Sequence, residues 1–120
     1  MDIFAVFIGG GLGSIARYLI SKWVPIPESG FPMATFIANL LACIILASMA
    51  AYVTRQTQTP PYLRLLIMTG FCGGFSTFST FSLETMTLIE RGAWSTATLY
   101  VSLSILVCVA ITSIIWKSMA

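Results

Sequence analysis

Residues 64–89 read RLLIMTGFCGGFSTFSTFSLETMTLI, and this stretch decides the fold of the chain. It is apolar at both ends and long enough to cross a bilayer, which takes about 20 helical residues. Its middle holds the pair Gly73-Gly74, and each glycine weakens a helix by roughly 1 kcal/mol relative to alanine. The hydroxyls of Ser76, Thr77 and their neighbours can bond the freed backbone groups. We predict a membrane-spanning helix broken near its middle, at the glycine pair; the alternative is an unbroken helix with a small-residue packing face.

The chain has three further apolar segments of spanning length, at about residues 3–20, 34–53 and 95–116. All 5 prolines lie between segments, as expected of a residue that stops helices. Of 120 residues, 58% are hydrophobic and 8% are charged, and the mean hydropathy is +0.94. Such a chain has too few charges to cover a small soluble domain. The sequence therefore predicts an all-α integral membrane protein with one four-helix transmembrane domain over residues 1–120, and not an enzyme.

Composition also argues against several functions. The chain has no histidine, so histidine triads, histidine-ligated metals and imidazole proton relays are excluded. A net charge of +2 is too small and too dispersed to bind nucleic acid. Cys43, Cys72 and Cys108 lie in apolar stretches without CxxC spacing, which favours buried or lipid-facing thiols over a disulfide framework or a zinc site.

The basic residues divide evenly between the two ends of the predicted bundle. Arg55, Arg64 and Lys117 lie at one end, and Arg17, Lys22 and Arg91 lie at the other. The positive-inside rule therefore gives no orientation. Either one position dominates insertion, or the chain inserts both ways round and pairs antiparallel. Because four helices leave little room for a sheltered aqueous path, we expect an oligomer to build any path.

Aromatic and hydroxyl side chains alternate just after the glycine pair. Phe75, Phe78 and Phe81 recur every three residues and so share a helical face. They either pack against lipid and protein or line a path, since the electropositive edge of an aromatic ring can receive an anion. The hydroxyls of Ser79 and Thr80 would donate hydrogen bonds beside them. No lysine or arginine lies in this stretch, and conduction favours such weak, multiple contacts.

Other polar residues lie within the predicted spans. Asn39 is mid-span, one turn after Thr35, and its amide is costly in hydrocarbon unless paired. It serves either as an interhelical hydrogen bond or as a donor in a pore. Glu84 is a functional candidate by its depth, or a helix-end carboxylate that pairs with an arginine such as Arg17. Arg17 itself is expected to be interfacial or structural.

Two helical faces complete the pattern. Tyr100, Ser104 and Cys108 share one face of the last segment, which makes a weak polar track. Gly9 and Gly13 form a GxxxG motif in the first segment, which indicates close helix packing.

These motifs resemble those of the small fluoride channels called CrcB or Fluc. GFCGGFSTFSTFSLE at residues 70–84 is similar to the family signature, and the resemblance extends to GGGLGSIARY at residues 9–18 and to Thr35 and Asn39 in TFIAN. It covers all four predicted spans.

The resemblance implies a fluoride-selective passive channel that exports fluoride from the cytoplasm across the bacterial inner membrane, as an antiparallel dual-topology homodimer. It implies a structural sodium ion, held by the backbone carbonyls of Gly73 and Ser76, as the cofactor. From their positions in the spans, we expect Arg17, Thr35 and Glu84 to have structural or auxiliary polar roles. It also implies that the fluoride pathway is lined by Asn39, Phe78, Ser79, Thr80, Phe81, Tyr100 and Ser104.

Some residues depart from the family pattern. Ser76 stands where the family tends to have threonine, a change to which a backbone carbonyl ligand is insensitive. Cys108 stands where serine is common, at one end of the polar track. The competing hypothesis is a small dual-topology, proton-coupled multidrug exporter, which needs a carboxylate deep in the membrane. Only Glu84 could serve that role.

Overall fold

The computed structural model describes residues 2–119, which are helical apart from the connections. The first span is helix α1, Asp2–Trp23, and the second is α2, Met33–Arg55. The third span runs over Pro61–Glu90, and the fourth is α6, Trp94–Ser118. All four are long and apolar enough to cross a membrane, which confirms the four spans predicted from the sequence. Met1 and Ala120, the two ends of the predicted domain, lie outside the described residues.

The third span is composite and breaks where the chain becomes extended. It comprises α3 (Pro61–Arg64), a π-helical segment (Leu65–Cys72), α4 (Gly73–Phe75) and α5 (Phe78–Glu90). Between α4 and α5, Ser76 has φ −83° and ψ 156°, and Thr77 has φ −151° and ψ 124°. The predicted break is confirmed, but its predicted position at the glycine pair is wrong, because Gly73 and Gly74 are helical.

Side-chain hydrogen bonds explain why the break lies after the glycines. The Thr77 hydroxyl accepts from the Thr80 backbone N–H at 3.1 Å and so caps α5. The Ser76 hydroxyl donates to the Cys72 carbonyl at 2.7 Å and closes the preceding helix. A helix opens most cheaply where side chains replace the lost backbone bonds, whereas glycine has no side chain to offer.

The glycines serve close packing between α1 and the third span. A Cβ atom added at Gly9 would collide with the Leu66 carbonyl oxygen, and one added at Gly13 with the Phe71 carbonyl oxygen. The backbones of α1 and the π-helical segment therefore touch, as the GxxxG motif predicted. This contact holds the first half of the third span against α1.

A tight turn places α6 beside α5. Gly92 has φ +77°, a conformation that L-residues with side chains rarely adopt. Its N–H donates to the Ile89 carbonyl and the Ala93 N–H donates to the Leu88 carbonyl, which is the Schellman arrangement at a helix end. The turn brings α6 back along α5, so that Tyr100 reaches Glu84.

Candidate functional site

Asn39 binds the broken backbone directly. Its Oδ1 accepts from the Thr77 N–H at 2.8 Å, and its Nδ2 donates to the Thr77 carbonyl at 3.3 Å. One side chain thus satisfies both polar backbone groups of an extended residue at membrane depth, where unsatisfied groups are expensive. Asn39 makes the interhelical bond that the sequence analysis considered. The amide carries two N–H groups, and this arrangement uses one of them.

The break also leaves two backbone carbonyls without the N–H groups that they would accept from in a continuous helix. In a continuous helix the Thr77 N–H would bond the Gly73 carbonyl, and the Thr80 N–H would bond the Ser76 carbonyl. Here the Thr77 N–H goes to Asn39 and the Thr80 N–H goes to the Thr77 hydroxyl. Gly73 also borders open space, since a Cβ built there would meet no atom within 4 Å. Gly73 and Ser76 are therefore positioned to offer their carbonyl oxygens to another group.

Arg17 supports the break from the side of α1. Its Nε donates to the Gly74 carbonyl at 3.2 Å, in the last turn before the chain becomes extended. The sequence analysis considered Glu84 as its partner. In residues 2–119 the observed bonds run from Arg17 to Gly74 and from Tyr100 to Glu84.

A cavity of about 310 Å³ opens beside the break, between α2, α5 and α6. We call it the aromatic groove. The Phe78 and Phe81 rings lie on it with centroids 5.7 Å apart, and Phe78 is 80% exposed. The Ser104 hydroxyl also lines it, is buried, and has no hydrogen-bond partner among the described residues. The other residues that line the aromatic groove are Asn39, Cys43, Ser76, Thr77, Ile105, Cys108 and Val109.

A second cavity, of about 570 Å³, lies near the connection between α1 and α2. We call it the polar cavity. Arg17 and Arg91 supply its positive charge and Glu84 its negative charge, while Thr35 and Thr80 present hydroxyls. It is thus a mixed, water-compatible surface, unlike the aromatic groove.

Tyr100 separates the two cavities. It is fully buried, and its ring centroid lies 5.0 Å from that of Phe81 in the aromatic groove. Its hydroxyl donates to Glu84 Oε1 at 3.3 Å, on the side of the polar cavity. Thr35, also buried, lies beside both Tyr100 and Glu84. Tyr100 therefore lies between the two cavities, with its ring packed on Phe81 of the aromatic groove and its hydroxyl bonded to Glu84 of the polar cavity.

The structure gathers most of the predicted site residues around these cavities. Three of them line neither cavity: the hydroxyl of exposed Ser79 lies 3.4 Å from the Thr77 hydroxyl, Tyr100 is buried, and Gly73 borders open space beside the break. The sequence analysis missed Thr77 as the residue that Asn39 binds, and Arg91 as a wall of the polar cavity. The preference of serine and threonine for helix N-caps could have indicated Thr77. Nothing in the sequence indicates that Arg91 lines the polar cavity.

Comparison with known protein families matches residues 4–115 to the family described as CrcB-like protein, Camphor Resistance (CrcB). The chain belongs to this family. The match spans all four membrane helices of the CrcB-family chain and confirms the resemblance drawn from its motifs.

Relatives of this CrcB-family chain are named as channels. It is 43% identical over 104 residues to Fluoride-specific ion channel FluC 1 of Yersinia pestis, covering 85% of this chain and 82% of the relative. It is 41% identical over 107 residues to Fluoride-specific ion channel FluC of Flavobacterium psychrophilum, covering 86% and 84%. It is also 41% identical over 112 residues to the channel of the same name from Escherichia coli O9:H4 (strain HS), covering 93% and 88%.

Family membership and the four spans together make this CrcB-family chain a multi-pass bacterial membrane protein. The same comparisons give no support to the multidrug exporter hypothesis. The roles of the individual site residues stay predictions, which the geometry above makes specific.

Proposed function

We propose that this chain is a fluoride-selective passive channel of the bacterial inner membrane that lets fluoride leave the cytoplasm down its electrochemical gradient. Its relatives named fluoride-specific ion channels support the choice of ion. The observation that carries the proposal within the structure is the position of buried Tyr100, whose ring packs on Phe81 of the aromatic groove and whose hydroxyl bonds Glu84 of the polar cavity.

The groove offers an anion several weak donors and no fixed cation. The second N–H of Asn39 and the unpartnered Ser104 hydroxyl are two of them. The electropositive edges of Phe78 and Phe81 provide further contacts. Weak, multiple contacts let an ion enter and also leave, as conduction requires. Fluoride is the smallest halide and the strongest hydrogen-bond acceptor among halides, and it is also the most strongly hydrated. Several donors around one site replace the water that it loses, and this replacement is the basis of the proposed preference over chloride.

Tyr100 and Thr35 pass the anion on by exchanging hydrogen bonds. The Tyr100 hydroxyl now donates to Glu84. When it turns toward fluoride, Thr35 beside them can donate to Glu84 in its place, because a threonine hydroxyl rotates freely. The carboxylate thus keeps a partner while the anion passes. Thr80 and Arg17 in the polar cavity then receive the ion near water.

We further propose that two copies pair antiparallel and complete the path. The three-against-three division of basic residues supports insertion in both orientations. Phe78 is 80% exposed, Gly73 borders open space, and extended backbone at membrane depth has to be buried in protein or line water. A second copy over this face would cover all three features and close the groove.

We propose that a sodium ion is held where the two copies meet. The Gly73 and Ser76 carbonyls, whose helical donors are diverted, would supply oxygen ligands from each copy. Oxygen donors suit a hard cation, and the positive charge would stabilise the dimer at the break. The proposed ion is structural and is not transported.

Export then needs no energy source other than the membrane potential. One charge that crosses 100 mV gains about 2.3 kcal/mol, which corresponds to a concentration ratio of about fifty. An inside-negative potential therefore drives fluoride out through a passive pore.

The deciding experiment measures ion efflux from liposomes that contain the purified protein and potassium fluoride or potassium chloride, with a potassium ionophore to balance charge. We expect rapid fluoride release and little chloride release, against protein-free liposomes as the control. Equal release of both halides would contradict selectivity, and no release of either from folded protein would contradict a channel.

A further inference from the structure

The two helices that wall the aromatic groove carry polar residues at the same spacing. On α2 these are Thr35, Asn39 and Cys43, and on α6 they are Tyr100, Ser104 and Cys108. A spacing of four keeps each set on one helical face. Thr35 lies beside Tyr100, and Cys43 and Cys108 line the same cavity. The two sets therefore run side by side in the same direction, and the polar line ends in a pair of thiols.

The thiol pair faces a cavity. Cys43 and Cys108 are both half-buried and both line the aromatic groove. The third cysteine, Cys72, is also free and lies within electrostatic reach of Cys43, but it is buried and does not line the groove. A thiol is a weak hydrogen-bond donor, so this end of the line is poorly suited to an anion. Sulfur ligands prefer soft cations instead.

We propose that Cys43 and Cys108 form a binding site for a thiophilic monovalent d¹⁰ cation, copper(I) or silver(I), and that the bound ion obstructs the aromatic groove. The effect on conduction rests on the proposed fluoride channel, whereas the binding site itself does not. No three metal-binding side chains converge in residues 2–119, and two ligands are the number that a linear d¹⁰ cation takes.

The chemistry balances without electron transfer. Two metal–sulfur bonds form, and one of the two thiols releases its proton to water. The product contains one thiolate, one thiol and one monovalent cation, and is therefore neutral. A neutral complex is far less costly at membrane depth than a bare ion.

The neighbouring turn of α6 independently indicates that the groove receives a ligand. The Ser104 hydroxyl is one turn from Cys108 and lines the same cavity. Ser104 is 7% exposed, and its oxygen has no hydrogen-bond partner among the described residues. A buried hydroxyl that lacks a protein partner is expected to bond water or a ligand in the space it faces.

Silver(I) is the probe, because it does not change oxidation state under these conditions. The full-length protein in liposomes receives silver nitrate in chloride-free medium, since silver chloride is insoluble. Fluoride efflux is measured, and bound silver is counted by elemental analysis after desalting. The variants are Cys43→Ser and Cys108→Ser, with Cys72→Ser as the matched control for a thiol outside the groove. Each protein is compared with its own efflux before silver.

We expect the original protein and Cys72→Ser to bind a single silver ion per chain, with efflux slowed by about tenfold or more. Cys43→Ser and Cys108→Ser should each bind silver about tenfold more weakly and keep their efflux. Equal binding in all four proteins, or the same loss in Cys72→Ser, would overturn the site. If untreated protein releases no fluoride, the channel proposal fails. The number of silver ions bound per chain still tests the thiol site in that case.

Discussion

At the scale of single residues, Asn39 shows what a sequence can and cannot indicate. An amide within an apolar span signals a hydrogen bond, and the sequence analysis identified it on that ground. Its partner could not be identified, because the Thr77 backbone is free to bond only after the helix has opened at Ser76 and Thr77. The partner of Asn39 is therefore determined by the tertiary structure, which residue type alone does not specify.

Asn39→Asp should abolish most fluoride efflux. The carboxylate has no N–H, so it would face the Thr77 carbonyl without a bond and would repel an anion in the groove. We expect at least a tenfold loss of efflux from liposomes, which corresponds to a barrier to the anion raised by about 1.4 kcal/mol or more. Asn39→Gln, which keeps an amide, should retain more efflux than Asn39→Asp. Equal efflux from Asn39→Asp and the original protein would remove Asn39 from the path.

Phe81→Ile should slow fluoride efflux while leaving the protein folded. The change keeps bulk against Tyr100 but removes the ring edge that Phe81 presents beside the groove. Phe36→Ile is the control, because Phe36 packs against the same buried cluster and lines neither cavity. Similar slowing in both variants would assign the effect to packing and not to the path.

At the scale of helices, the close contact between α1 and the π-helical segment holds the first half of the third span in place. The GxxxG motif predicted close packing correctly, since glycine at Gly9 and Gly13 is read directly from the sequence. The π-helical geometry of Leu65–Cys72 was not predicted, because its residues have no composition that distinguishes it from an α-helix. The break was placed at the wrong residues because helix propensity was weighed without the capping role of Thr77.

Gly13→Ala and Gly11→Ala form a matched pair that tests this packing. A Cβ at Gly13 would collide with the Phe71 carbonyl, whereas one at Gly11 would meet no atom within 4 Å. We expect Gly13→Ala to lower the free energy of unfolding by about 1–3 kcal/mol. Gly11→Ala should leave it unchanged or raise it by up to about 1 kcal/mol, the preference of a helix for alanine over glycine. Thermal unfolding in detergent, followed by size-exclusion chromatography, measures the difference. Similar melting temperatures for the two variants would show that the helices do not touch here.

At the scale of the whole molecule, composition and length predicted the four spans. They did not indicate whether a second copy covers the aromatic groove. Hydropathy marks apolar faces without telling lipid-facing from protein-facing ones. The exposed Phe78 and the open space beside Gly73 indicate a covered face only once the fold is known. Pairing between copies therefore stays a prediction, and orientation is its most direct test.

A reporter fused to the C-terminus should be found on both sides of the membrane. The reason is the even division of basic residues between the two ends of the bundle. Fusions to an enzyme active only in the periplasm and to a fluorophore active only in the cytoplasm should both give signal. The double variant Lys22→Gln, Arg91→Gln leaves one basic residue at its end and should shift the signal to one side. A single-sided signal from the unaltered chain would contradict dual topology.

The composite third span has a consequence for how the chain is made. It is the least apolar of the four spans, and at its break both backbone groups of Thr77 bond Asn39 of the second span. A ribosome delivers α2 before the third span, so the partner of the break is already in the bilayer when Thr77 arrives. We expect the third span, expressed without the other spans, to insert poorly into the membrane and to be translocated across it. When α2 precedes it in the chain, the third span should be retained in the membrane. The order of the spans along the chain therefore contributes to correct folding.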